Sequence, residues 1–312
     1  MNFTTTIISK AVQGEVLAEN EVTVTGVEFD SRKIEAGDLF VPLQGTNDGH
    51  TFVNKAIENG ATATLWSQDP ATAPEGIAVI LVKDTLSAFQ ALASYYLLEE
   101  NPDVIAITGS NGKTTTKDMT ESVLSQTFRT YKTQGNYNND IGLPYTILHM
   151  PEGTEKLILE MGMDHAGEIS VLSELAEPDV AAITIIGEAH IENLGSREKI
   201  ADAKMEITTG LASDGLLIIP AAEPLLEERI RSLPQTIETF GIQAGDLSAT
   251  ILNEDKGATV FSVDDKGYQI PLPGNYNVQN ALIAMAIGRW FGLSNDEIFQ
   301  GLAYVQAVSY TH

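Results

Sequence analysis

A chain of 312 residues that is 43% apolar and 20% charged can bury a sizeable core and is long enough for two or three domains, so wholesale disorder is excluded. Its 18 basic residues against 43 acidic ones give a net charge of −25. That field excludes general binding to nucleic acid or anionic lipid and leaves a phosphate ligand dependent on a local donor cluster or a cation. Cysteine is absent, which also excludes disulfides, a thiol nucleophile and Cys-ligated zinc.

The opening MNFTTTIISKAVQG has no basic start and no long apolar run, and nowhere do ~18 apolar residues follow one another as a membrane span requires. The expectation is a cytoplasmic, soluble chain with no membrane insertion and no nucleic-acid partner. Residues 1–82 mix short β-type runs, VTVTGVEF (22–29), DLFVPL (38–43), ATATLW (61–66) and IAVILV (77–82), with a helix over 51–59 closed by Gly60. An amphipathic helix is expected over 84–99, and Asn101-Pro102 ends it.

From 103 the pattern becomes strand–helix alternation. Apolar, β-branched strands are expected at VIAIT (104–108), LILEMG (157–162), VAAITII (180–186) and LLIIP (216–220). Helices are expected at 114–126, 141–149, 167–176, 198–212 and 222–232. Continuously apolar strands in such an alternation predict a mainly parallel sheet with helices on both faces. Between 247 and 273 the pattern turns to strand–turn–strand, with turns at 255–257 and 264–267. Two helices close the chain, 276–291 and 294–302, the second opened by the capping box Ser294-x-x-Glu297.

The strongest chemical signal is VIAITGSNGKTTTKDM (104–119), a buried strand, a glycine loop and an immediate helix. Glycines let several N–H groups point at one anion, and the helix N-terminus adds its dipole. Gly109, Ser110, Asn111, Gly112, Lys113, Thr114 and Thr115 form the candidate nucleotide loop, with Lys113 on the β/γ-phosphates and Thr114 on Mg²⁺. Ile107 stands where the usual pattern G-x-x-x-x-G-K-[ST] has its first glycine, so the loop is a shortened variant.

TGSNGKT (108–114) resembles the nucleotide loop of the Mur ligase superfamily, which makes amide bonds through acyl phosphates. The likeness continues in order through DSRKIEAGDLFVPLQGTNDGHTFVNKAIENGA (30–61), TQGNYNNDIGLP (133–144), LEMGMDHAGEI (159–169), GEAHIENLGSREKIADAKMEI (187–207) and GNYNVQNALIA (274–284). It implies an α/β fold with an N-terminal mixed α/β domain binding a UDP-MurNAc-peptide over 1–82. A P-loop-type, ATP-binding central ligase domain follows over 83–312. The versions of the second and fourth central segments are similar to those of members that join D-alanyl-D-alanine to UDP-MurNAc-tripeptide in peptidoglycan precursor synthesis. The chain's ending, QAVSYTH, does not resemble the lead-in to the family's C-terminal ligase domain. The expectation is that this domain is absent from the chain, a monomer inactive by itself.

Residue by residue, the resemblance implies ATP on the loop and Mg²⁺ held by Thr114, Glu160, His190 and Lys204 as a CO₂-derived carbamate. Lys113, Lys204, His190 and Glu160 are then the catalytic residues. Glu160 ends an apolar strand, where ligands of open α/β sheets bind, and His190 follows the strand 180–186. By spacing alone Lys204 reads as a plain surface lysine. Asn138 and Asn139 are candidate substrate, phosphate or metal contacts, or an Asn-rich turn. Ser31 and Arg32 match residues contacting UDP, or form a turn with Asp30. Asn277 and Asn280 match the adenine-contacting pair, although Tyr276 stands at the family's His position. Asn47, Asp48 and His50 are weaker candidates. Two other readings remain open, a ligase similar to folylpolyglutamate synthase and a nucleotide- and UDP-ligand-binding fragment without turnover.

Overall fold

The computed structural model describes residues 1–17, 21–189, 191–255 and 257–305. They divide into two compact units, 1–101 with 140–152, and 102–139 with the remainder from 153.

The first unit holds a five-stranded sheet in the order Glu15–Val16, Ala78–Leu81, Ala63–Trp66, Asp38–Phe40, Gly26–Glu28. Only the pairing of 15–16 with 78–81 is antiparallel. The helix Val53–Asn59 ends at Gly60 with φ +112°, the left-handed C-cap read from the sequence. The helix Thr85–Glu100 starts at Asp84, whose carboxylate accepts from Ser87 N–H at 2.7 Å, and ends at left-handed Asn101 before Pro102. A seven-residue helix, Gly142–Leu148, packs on that helix and on strand 26–28. Its Tyr145 hydroxyl donates to Glu28 Oε2 at 2.9 Å, and Tyr96 donates to the Met150 carbonyl at 2.9 Å. By these contacts residues 83–101 and 140–152 pack with the first unit.

The second unit is built on a nine-stranded sheet. Its order is 266–270, 258–263, 247–255, 236–242, 216–220, 180–183, 103–108, 156–160, 130–132. The strands from 130–132 across to 247–255 run parallel, and the last two turn antiparallel. Ile105 and Ile107 belong to a core shared with Met119 and Val123 of the helix Lys113–Leu124 and with Ile283 of the helix Asn275–Trp290. Val104 and Ala106, on the opposite face by strand alternation, are equally buried. A sheet covered on both faces is what the apolar runs require. Strand 103–108 lies between 156–160 and 180–183, so the chain goes first to one side of it and then to the other. Such a reversal opens a crevice at the strands' C-terminal ends.

The helix Asn295–Ala303 has the expected capping box, Ser294 with Glu297. It lies so close to the helix 113–124 that a Cβ on Gly301 would stand 2.5 Å from Val123 Cα, and the Ser122 hydroxyl donates to the Gly301 carbonyl at 2.6 Å. Gly301→Val is expected to lower the unfolding free energy by about 1–3 kcal/mol through overpacking. The check is a lower urea midpoint with an unchanged slope.

Candidate active site

The loop after strand 103–108 is shaped by what surrounds it. Gly109 has φ +153°, and a Cβ there would lie 1.7 Å from Thr184 Oγ1. Gly112 has φ +82° and faces the Asn280 side chain, 2.7 Å from where its Cβ would be. Neither position accommodates a side chain. The loop is then fastened to the segment after strand 180–183. Thr184 donates to the Asn111 carbonyl, Ser110 N–H donates to the Ile185 carbonyl at 3.0 Å, and Gly187 N–H donates to Ser110 Oγ at 2.9 Å. The helix begins at Lys113, so its first N–H groups point out of the turn with no partner inside the helix, an anion site in waiting. Lys113 Nζ donates to the Gly109 carbonyl at 2.9 Å. Burial lowers its pKa, and the Glu160 carboxylate works against that shift.

Glu160 closes the other flank. It is 3% exposed, and its carboxylate accepts from the Thr114 hydroxyl at 3.0 Å and from Asn138 Nδ2 at 2.9 Å. Its backbone N–H donates to Thr133 Oγ1 at 3.0 Å. Asn138 is pinned in turn, since Gly162 N–H donates to its carbonyl at 2.8 Å and a Cβ on Gly162 would strike its side chain. The strand end therefore presents a buried carboxylate whose donors among the described residues are neutral, one of them a hydroxyl. That oxygen set suits Mg²⁺, which keeps waters and binds through one or two carboxylates and substrate phosphates. Among the described residues no cluster of three or more His, Cys, Asp or Glu is assembled. His190 lies outside the described residues.

Lys204 departs from the surface position that its spacing suggests. It is 2% exposed on the helix Arg197–Met205, on the same face as buried Ile200 one turn earlier. Burial first, and the Lys113 charge second, bring its pKa down to about 7. The sequence reading also missed Lys117, one turn along from Thr114 and 2% exposed, with its ammonium 3.7 Å from Asp118 Oδ1. Burial lowers its pKa, while Asp118 and Glu160 oppose the shift. The i, i+3 spacing from Thr114 was the available signal.

The remaining candidates are distributed differently. Thr115 is half-buried and Asn139 exposed. Asn277 and Asn280 are each 5% exposed. Asn277 donates to the Pro273 carbonyl at 2.7 Å, and Asn280 Nδ2 has no hydrogen-bond partner among the described residues. In the first unit Ser31 is buried, and its carbonyl accepts from Asn59 Nδ2 at 2.7 Å. Arg32 grips Asp30 through Nε at 2.8 Å and Nη2 at 2.7 Å, a bidentate pair that holds the Asp30 carboxyl near a pKa of about 2. His50 bridges Asp48 Oδ1, 2.7 Å from Nδ1, and the Ser67 N–H, 3.2 Å from Nε2, which ties two loops together.

The Lys204 amine gives a pH signature with a definite sign. Its folded pKa is about 7 against an ordinary 10.5, so between those values only the unfolded chain holds the proton and stability rises with pH. In buffer free of CO₂ and divalent metal, the unfolding free energy is expected to rise from about pH 7 towards pH 10 more steeply than in Lys204→Met. Parallel urea-unfolding curves for the two proteins across that range would contradict the buried amine.

Known proteins match this chain along most of its length. The Mur ligase middle domain matches residues 107–288, and the Mur ligase family catalytic domain matches 23–97. The UDP-N-acetylmuramoyl-tripeptide–D-alanyl-D-alanine ligase of Bacillus subtilis is 47% identical over 286 residues, 91% of this chain. The chain spans only 62% of that relative's length. A crystal structure of MurF from Acinetobacter baumannii is similar with a TM-score of 0.92 and 32% identity, covering 99% of this chain and 69% of that one. MurF ligase from Thermotoga maritima, solved in complex with ADP, is similar with a TM-score of 0.80 and 29% identity, covering 91% and 67%.

Proposed function

The chain belongs to the Mur ligase family, and from that premise we propose that it carries the UDP-substrate and ATP-binding parts of a ligase joining D-alanyl-D-alanine to UDP-MurNAc-tripeptide. The observation that carries this reading is the pairing of a clamped glycine loop with Glu160, its carboxylate bonded to Thr114, at neighbouring strand ends. Relatives named for this reaction support the choice of substrates. The product belongs to peptidoglycan precursor synthesis and so to cell-wall assembly. No described helix is long and apolar enough to cross a membrane, and an ATP-consuming reaction fits the cytoplasm.

The loop N–H groups and the helix 113–124 hold the ATP phosphates, and Lys113 exchanges the Gly109 carbonyl for the transferring phosphate. Thr114 and Glu160 would hold Mg²⁺, and the resemblance adds Lys204 as its carbamate and His190, which lies outside the described residues. When bound, the ion neutralises charge on the phosphates. The uncharged form of the Lys204 amine, available near pH 7, is the one that adds to CO₂: an N–C bond forms, a proton leaves, and a cation becomes an anionic oxygen ligand. Ser31 and Arg32 hold the UDP portion, with Arg32 leaving Asp30 for a phosphate. Asn138 and Asn139 border the reacting end of the substrate. The tripeptide carboxylate attacks the γ-phosphorus and ADP leaves. The dipeptide amine then attacks the acyl phosphate, releasing phosphate and a proton. Little of this is covalent work for the protein, so positioning and electrostatics dominate.

The test supplies ATP, Mg²⁺, UDP-MurNAc-tripeptide and D-alanyl-D-alanine, and follows ADP and the amide by mass. Lys113→Ala is expected to lower tripeptide-dependent ADP release about 100-fold or more with an unchanged melting curve. Equal release in the variant would overturn the loop assignment. Lys204→Ala is expected to lose tripeptide-dependent ADP release and to regain part of it with added short carboxylates. Full activity without them would make Lys204 a packing residue only.

A further inference from the structure

We propose that Glu28 and Tyr145 are positioning residues for the UDP ligand, their hydrogen bond fixing the backbone turn that aims Arg32 at a phosphate. The proposal rests on the reading that Ser31 and Arg32 hold the UDP portion.

Glu28 ends the strand Gly26–Glu28 and is 5% exposed. A carboxylate so placed is costly unless its oxygens are occupied, and here both are. Oε1 accepts from the N–H groups of Phe29 and Asp30 at 2.8 and 2.9 Å, and Oε2 accepts from the Tyr145 hydroxyl at 2.9 Å. Among the described residues these three donors are all neutral. A side chain folded back on the next two N–H groups turns the chain at a defined angle as the strand ends. The turn then continues without a break. Asp30 accepts from the Arg32 N–H at 3.0 Å, from Nε at 2.8 Å and from Nη2 at 2.7 Å. Glu28 therefore sets Asp30, and Asp30 sets Arg32, whose own side chain is 83% exposed.

Tyr145 is the outer anchor. Its ring stacks on His149 with centroids 3.8 Å apart and meets Phe29 edge-on at 5.3 Å, and Phe29 meets Phe89 at 6.5 Å. A ring held on two sides presents its hydroxyl in one direction, so packing as well as hydrogen bonding sets the reach to Glu28. The bond joins positions 117 apart in sequence and lies wholly inside the first unit. Packing alone would be served by an apolar pair at 28 and 145, since replacing both partners of such a bond is nearly neutral. What an apolar pair cannot do is hold the N–H groups of residues 29 and 30, and those lead directly into Ser31 and Arg32.

The experiment titrates UDP-MurNAc-tripeptide and, separately, Mg²⁺–ATP into the 312-residue chain, Tyr145→Phe, Glu28→Gln, the double variant and Arg32→Ala. Each titration is run well below the protein's unfolding midpoint. Tyr145→Phe keeps the ring and removes one hydroxyl. It is expected to weaken the UDP ligand about tenfold, within the range for groups sharing one hydrogen-bond network, and to leave ATP affinity unchanged. Glu28→Gln keeps the volume but gives up an acceptor, and is expected to lose at least as much. The double variant is expected to lose no more than Glu28→Gln alone. A part in packing only would lower the unfolding midpoint while the folded chain kept its UDP affinity. Unchanged UDP affinity in Tyr145→Phe, with a loss in Arg32→Ala, therefore overturns the proposal and spares the UDP reading. Additive losses in the double variant, or an equal loss of ATP affinity, overturn it as well. A wild type that does not bind the UDP ligand, or an Arg32→Ala variant that binds it as tightly, overturns the UDP reading and the proposal with it.

Discussion

The contact between Gly109 and the Thr184 hydroxyl is the constraint on which the site depends. Any side chain at 109 would occupy the space of that hydroxyl, which is itself spent on the Asn111 carbonyl. The loop therefore cannot relax outward without breaking its ties to residues 184–187, and those ties exist only because strand 180–183 lies beside strand 103–108. On the other side, strand 156–160 brings Glu160 level with Ile107 in register, close enough for Thr114 to reach it. One strand order thus sets two distances at once, from the loop to its clamp and from the helix start to its acid. The packing of Met119 and Val123 against the helix 275–290 fixes the remaining freedom of the helix 113–124.

Much of this was legible in the sequence because local rules and the tertiary structure agree there. VIAIT ran into glycines and then a helix, and each boundary falls within a residue or two of its expected place. The strand 216–220 and the capped final helix were equally plain. The strands Thr130–Lys132 and Thr236–Ile242 were not, since both carry polar residues and the first is only three residues long. The helix expected over 222–232 shrinks to Pro224–Glu227. Arg229 there bonds the Leu225 carbonyl, Asp202 and the Glu198 carbonyl, contacts that no local periodicity reveals. Helix 142–148 has the right pattern, but its packing with the first unit comes from Tyr145 meeting Glu28, more than a hundred positions away. Lys204 is the sharpest case. Its stretch, Ile200-Ala-Asp-Ala-Lys-Met-Glu-Ile207, mixes charged, small and apolar residues, so only tertiary packing settles that the lysine is buried.

The chain's −25 net charge and its phosphate-type loop are reconciled by how four lysines near that loop divide their roles. Lys132 is spent on Asp118 at 2.8 Å and on Glu121, and these partners raise its pKa against the cost of burial. Lys117 keeps Asp118 and, at longer range, Glu160 as counter-charges. The pair that matters is half-buried Lys113 and buried Lys204, two amines that repel each other when both are protonated. Glu160 supports the charge on Lys113, whereas among the described residues the neighbour that acts on Lys204 is Lys113 itself, which lowers its pKa further. Burial lowers the pKa of both amines, and a carboxylate, Glu160, opposes the shift at Lys113. The same burial that would make a second ammonium costly is what makes the second lysine chemically different from the first.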